Sequence, residues 1–225
     1  MLLYQRKWLY ERMALNYMTA GKTYKAEKWY KKLEAIEPRG LAVLHNLGVI
    51  CISLKKFREA ENYINREIEI YGESPVRLRV LGDLYYMEGN MDEAGRIYGR
   101  ALTLFQVSGE DKTAQNLLRK RISICKDKSL SAKAAESSML LEQGPVLPSK
   151  GLAGEALDSF LRAAEYDKSS YTALNSAGTV LMNHMKDYNG ARDCFRRALE
   201  LADIPVIKQN LSLAEYKIRE TGGNR

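Results

Sequence analysis

The chain has 225 residues, 45% of them hydrophobic, and 35 Lys and Arg against 28 Asp and Glu leave a net charge of +7. Such a length and apolar share allow a buried core and exclude a fully disordered chain, while three cysteines are too few for a disulfide-stapled scaffold. No run of about 18 apolar residues occurs and charges interrupt the leading MLLYQRKWLYER, so a membrane span and a secretory leader are not expected and the expected setting is cytoplasmic.

From the amino terminus onward, small residues set a register. Ala14, Gly48 and Gly82 stand 34 residues apart, as do Ala26, Ala60 and Ala94. Larger residues keep step in four more columns: Tyr10, Leu44 and Leu78; Met13, Leu47 and Leu81; Tyr17, Cys51 and Tyr85; Tyr30, Ile64 and Tyr98. Within each half of the unit the large residues recur at i, i+3, i+4 and i+7, which is one face of a helix. The small residue belongs where two helices cross. Gly21, Gly89 and Lys186 lie near the turn between halves, where a left-handed residue ends a helix. Each unit therefore reads as a helical hairpin that buries its apolar face only by stacking on neighbours. Residues 1–107 hold three such hairpins.

The register then breaks, because Ala156 comes six positions short of two full repeats after Ala94. A helix is expected over 111–125, with Ala114, Leu117, Leu118, Ile122 and Cys125 on one side. A second is expected over 129–143, capped by Ser129 and packed through Ala132, Ala135, Met139 and Leu140. One long helix from 111 to 143 is the alternative. Gly144 to Ser149 reads as a loop by composition. Ala156, Phe160 and Ala163 then give a second half. Leu174, Ala177, Gly178 and Leu181 give a first half, and Ala191, Phe195 and Ala198 another second half, 35 residues after the last. A final helix over 204–220 has Pro205 in its first turn and turns Leu211, Ala214 and Ile218 inward. Residues 221–225 should fray. The expected division is three hairpins over 1–107, a capping or connector helix over 108–128, two hairpins over 129–203 with a loop at 144–151, and a capping helix with its tail over 204–225.

These columns fit the pattern W-x2-L-G-x2-Y…A-x3-F…P. Leu44, Leu47, Gly48 and Ala60 match it, as do Leu78, Leu81, Gly82, Tyr85, Ala94 and Tyr98, and Leu174, Ala177, Gly178, Ala191 and Phe195. Pro38 fills the closing proline site once, and Gly72, Gln106 and Asp203 replace it later. The chain resembles the tetratricopeptide repeat family. That resemblance implies an all-α solenoid of antiparallel helical hairpins. It also implies a non-enzymatic protein–protein interaction scaffold or adaptor, holding a protein or peptide segment within a larger assembly. An assembly chaperone of the same family is the alternative.

In the family the first helix of each hairpin lines the binding groove. By register the groove residues are Trp8, Glu11, Arg12, Leu15 and Met18, then His45, Asn46, Val49 and Ile52, then Val76, Arg79, Val80, Asp83, Tyr86 and Met87. For Val49, Ile52 and Val80, packing against neighbours is an equal reading. Members that clamp the carboxylate of heat-shock chaperone tails use Lys, Asn, Asn, Lys and Arg. The matching positions are Glu11, Leu15, Asn46, Val76 and Val80, of which only Asn46 agrees, so the resemblance does not extend to that clamp.

Chemistry is sparse elsewhere. His45 and His184 have no partner at nucleophile-activating spacing. Cys51, Cys125 and Cys194 form no C-x2-C, no H-x3-H occurs, and no Gly-rich phosphate loop precedes a helix. Catalytic residues, metal and cofactor are not expected. Two basic clusters stand out: Lys22, Lys25, Lys28, Lys31 and Lys32, interleaved with Glu27, Glu34 and Glu37, and the purer set Arg119, Lys120, Arg121, Lys126, Lys128 and Lys133. The second could meet an acidic partner or nucleic acid. Without an aromatic platform nucleic acid is the less favoured, and a solvated face is the simpler reading. Exposed repeat faces also leave a homo-oligomer open.

Overall fold

A computed structural model describes residues 2–109, 111–148 and 151–222. Among them are twelve α-helices: α1 (Leu2–Thr19), α2 (Thr23–Glu34), α3 (Leu41–Ser53), α4 (Phe57–Tyr71), α5 (Pro75–Glu88), α6 (Met91–Ser108), α7 (Lys112–Lys126), α8 (Lys128–Gln143), α9 (Ala153–Tyr166), α10 (Tyr171–Val180), α11 (Tyr188–Leu201) and α12 (Pro205–Gly222). No described helix is long and apolar enough to cross a membrane. The chain is an all-α array of helical hairpins in two compact units, Met1–Leu104 and Phe105–Arg225.

The first unit repeats one construction three times. Helices α1, α3 and α5 each end on a left-handed residue, Gly21 at φ 67°, Lys55 at φ 58° and Gly89 at φ 90°. The next N–H reaches back five residues in each case: Lys22 to the Tyr17 carbonyl at 2.8 Å, Lys56 to Cys51 at 2.8 Å and Asn90 to Tyr85 at 2.9 Å. This double closure satisfies the last carbonyls and turns the chain into the second helix. Gly21 and Gly89 carry it at no steric cost, whereas Lys55, one repeat from each, holds it with a side chain.

The crossing column follows. A Cβ on Gly82 would stand 2.5 Å from the ring of Tyr98, and one on Gly48 3.0 Å from Ile64. Tyr98 and Ile64 are almost wholly buried, as are Ala14, Ala26, Ala60 and Ala94. Each hairpin thus brings its backbones together over a small residue and fills the gap from the second helix.

The second unit obeys the same rule through a segment read above as a loop. Gly144 is buried, and a Cβ there would strike the Phe160 ring. It sits one repeat before Gly178, whose own Cβ would stand 2.6 Å from Phe195. After α8 a 3-10 turn, Gly144–Val146, carries the helix onward. Gly151 at φ 78° then ends it, with the Leu152 N–H on the Leu147 carbonyl at 3.1 Å. Leu147 and Gly151 hold the places of Tyr17 and Gly21. Pro145 and Pro148 therefore lie in the first half of a fourth hairpin, at its tightened end, rather than in a loop. The place of Ser149 in that loop lies outside the described residues.

In the fifth hairpin α10 runs into a π turn, Leu181–Met185, and the left-handed residue is Lys186 at φ 57°. The Asp187 N–H reaches back six residues, to the Leu181 carbonyl at 3.0 Å. One extra residue wound into a π turn is why Ala156 and Ala191 stand 35 apart.

Helices α7 and α8 are separate. Asp127 divides them and caps α8, accepting from the Ser129 and Leu130 N–H groups at 2.8 and 3.1 Å. The cap is Asp127 rather than Ser129, which lies inside the helix. Helix α8 buries Ala134 and Ser137, and the Ser137 hydroxyl donates to the Ala163 carbonyl of α9 at 2.8 Å. Ala132, Ala135 and Met139 are exposed instead. In a stretch of Ala and Ser the two faces differ too little in hydrophobicity to choose between them. Helix α7 buries Leu117, Leu118, Arg121 and Ile124, packing on α8 and α11. Helix α12 covers the last hairpin with Ile207 and Ala214, and Leu211 packs at the edge of that core. Residues 223–225 of the expected frayed tail lie outside the described residues.

Candidate functional site

Along the first helices of the first unit, the predicted groove residues separate into three groups. Trp8, Arg12, Leu15, Met18, Val76 and Met87 are exposed, while Glu11, His45, Asn46, Val49, Arg79 and Asp83 are half-buried. Ile52, Val80 and Tyr86 are 6%, 5% and 8% exposed and belong to the packed interior, so they are removed from the set of residues that could touch a ligand. Tyr86 stacks obliquely on Tyr98, ring centroids 6.2 Å apart. Ile52 and Val80 belong to the buried apolar residues of α3 and α5.

Between α1 and α3 the surface opens into a cleft of ≈ 360 Å³, lined by Glu11, Leu15 and Asn46 of the predicted set and also by Lys7, Tyr30, Glu37, Leu41 and Ala42. Its rim is charged. The Lys7 ammonium bonds Glu37 at 2.8 Å and lies 3.8 Å from Glu11. The bond to Glu37 outweighs desolvation and lifts the Lys7 amine above its ordinary value. Arg12 lies over the Trp8 ring, 5.2 Å from its centroid. The cleft thus offers an apolar floor, a neutral amide and a rim of both signs. Lys7 was legible one helical turn before Glu11. Glu37 was not, since it comes from the turn after α2.

The charged groove residues of the later hairpins are engaged internally. His45 Nδ1 lies 3.2 Å from buried Glu67, which also accepts from Arg77 Nε at 3.0 Å. Arg79 donates to Asp83 at 3.1 Å, and the Tyr98 hydroxyl donates to Asp83 at 2.8 Å. Glu67 takes the column of Leu33 and Ala101, so this carboxylate replaces apolar packing with a hydrogen-bonded tie between α3, α4 and α5. His45 is held by that tie.

A second buried acid, Glu27, accepts from Lys56 at 2.6 Å and pairs with Lys31 at 3.1 Å, and Lys31 also reaches Glu59 at 3.2 Å. Burial pushes the Glu27 carboxyl up, but the bonds from Lys56 and Lys31 outweigh it and hold the group below its ordinary value. Glu27, Cys51 and Glu59 place one ligand atom each within 4.8 Å of one another. Two ammonium groups already occupy these carboxylates, and burial first, then Glu59 and Glu27, push the Cys51 thiol up to about 11. The cluster is thus arranged as an ion network, not as a cation cage.

Of the basic stretch, Arg119, Lys120, Lys126, Lys128 and Lys133 are exposed, but Arg121 is 9% exposed and faces the interior. It falls on the buried side of α7 with Leu117, Leu118 and Ile124, and it leaves the surface set for that reason. His184 is exposed in the π turn.

The family model described as tetratricopeptide repeat matches residues 41–73, the α3–α4 hairpin. That hairpin is a tetratricopeptide repeat. This repeat chain is 23% identical over 217 residues to the BBSome complex member BBS4 of Bos taurus, covering 93% of this chain and 41% of that protein. It is 24% identical over 108 residues to the Mus musculus protein of the same name, covering 48% of this chain and 21% of that one. The chain spans about two fifths of the length of the bovine relative. Among solved structures, a tetratricopeptide repeat protein from Parabacteroides merdae aligns at a TM-score of 0.49 and 18% identity, covering 92% of this chain and 70% of that one.

Proposed function

We propose that this tetratricopeptide-repeat chain is a non-enzymatic protein-interaction scaffold that holds a partner segment against α1 and α3 and acts within a larger assembly. The observation that carries this reading is the cleft between those helices, lined by buried Tyr30, Leu33 and Val43, by Leu15 and Asn46, and by charged Lys7, Glu11 and Glu37. A floor that is apolar but rimmed by both signs suits a short amphipathic segment with one apolar anchor and flanking charges. Exposed Trp8 and Met18 extend the apolar surface along α1 and can adapt to the anchor. His45 and the buried acids are committed to ties between hairpins, which favours holding over turnover. The relatives bear the name of a complex member, in keeping with a place in an assembly.

The test is a comparison of captured proteins from the source cell, using tagged wild type, a Leu15→Asp/Asn46→Asp variant and a Lys128→Asp variant away from the cleft. A partner recovered by wild type and Lys128→Asp, and lost by the cleft variant at unchanged melting temperature, is expected. Equal recovery by all three would remove the cleft as the site.

A further inference from the structure

The segment from Lys112 to Lys133 holds seven cations against one acid, Asp127, a net of +6 beside +7 for the whole chain. That imbalance is arranged. Helix α7 carries no acid, and its exposed side presents Lys112, Arg119 and Lys126 at i, i+7 and i+14, with Asn116 and Ser123 between them. Lys120 flanks this line and shares a small cleft of both signs with Lys168, Arg197, Asp167 and Glu200. Among the described residues, Arg119 donates to neutral partners, the side chains of Asn116 at 3.0 Å and Gln115 at 3.3 Å. The amino-terminal lysine cluster contrasts with this, since its Lys31 is neutralised by Glu27 and Glu59.

We propose that the outward side of α7 is a docking surface for a second helix bearing a stripe of carboxylates at seven-residue spacing. The pitch selects this occupant. Cations seven residues apart on a helix are about 10.5 Å apart and drift by only about 20° per step, so they form a nearly straight line. A helix laid alongside at a shallow angle presents every seventh side chain of its own at the same interval. An extended segment cannot match it, because its same-side residues recur at about 6.6 or 13 Å. A nucleic-acid strand carries a charge about every 3.4 Å of axis, so the line would leave most phosphates unmet. Helix α7 also lacks an aromatic residue on which a base could stack. This surface belongs to the second unit, apart from the cleft between α1 and α3.

The experiment uses the full chain and a fluorescein-labelled helical peptide of about 20 residues, long enough to hold a helix, with Glu at every seventh position. Fluorescence anisotropy is read at low ionic strength. Binding is expected, weakening steeply with salt and falling about tenfold or more in Lys112→Glu/Arg119→Glu/Lys126→Glu, since several ion pairs invert together. Lys128→Glu/Lys133→Glu, off the line, should lose much less, and Leu15→Asp should lose nothing. All five substituted cations are exposed, so unchanged far-ultraviolet dichroism is expected throughout. The proposal is overturned if a peptide of the same composition with Glu at every fifth position binds as well, or if the triple variant binds like wild type. It is also overturned if an oligonucleotide of similar charge binds more tightly than the peptide through the same three residues.

Discussion

Replacing Gly82 by Ala should weaken the first unit although Ala is the better helix former. The added Cβ would stand 2.5 Å from two ring carbons of Tyr98, and Tyr98 has no room to retreat. Its ring is wholly buried and leans on Tyr86, and its hydroxyl is tied to Asp83. Overpacking of this kind costs about 1–3 kcal/mol, from which the helix preference of Ala over Gly recovers up to about 1 kcal/mol. The net expectation is a loss of up to about 2 kcal/mol. In a unit of roughly 100 residues that lowers the melting midpoint by up to roughly 10 °C. Gly99→Ala is the control, since Gly99 is also helical but a Cβ there meets nothing within 4 Å. It should gain up to about 1 kcal/mol and raise the midpoint. Thermal melts followed by circular dichroism, together with urea titrations, measure both. If Gly82→Ala melts at or above wild type while Gly99→Ala behaves as expected, the close helix crossing is not what holds glycine in this column.

Further expectations concern single residues. Lys55→Gly should stabilise by up to about 1 kcal/mol, because it relieves a left-handed residue bearing a side chain; a lower urea midpoint would count against this. The tie on Glu27 should make stability depend on pH with a defined sign. Its carboxyl lies below its ordinary value of 4.5, so the contribution is full above that value and disappears as pH falls through the lower folded value. Glu27→Gln should accordingly show a shallower acid limb in melting temperature, and an unchanged limb would contradict the assignment. Under native conditions at pH 8, thiol reagents should modify half-buried Cys125 first. Cys51 and Cys194, whose thiols burial raises, should react only on unfolding, and early modification of Cys51 would refute its place in the core.

The hairpins were legible because their chemistry is local and repeated. A small residue, the bulky one 16 or 17 positions later and the left-handed turn between them meet within a single hairpin, so a fixed period in the chain records a contact in space. That holds even at Gly144, where the spacings to Gly178 and Phe160 carried the signal and two prolines obscured it. The period could not tell which side of a helix its neighbours would cover. Ile52 and Tyr86 share a column with exposed Met18, and Val80 shares one with exposed Arg12, yet tertiary packing buries only Ile52, Tyr86 and Val80. Arg121 and its neighbour Lys120 are both basic, and only the packing of α7 on α8 and α11 turns one inward and leaves the other in water. Charge pairing is likewise a matter of tertiary contact: Glu27 and Lys56 are far apart in the chain and meet only when the second hairpin stacks on the first.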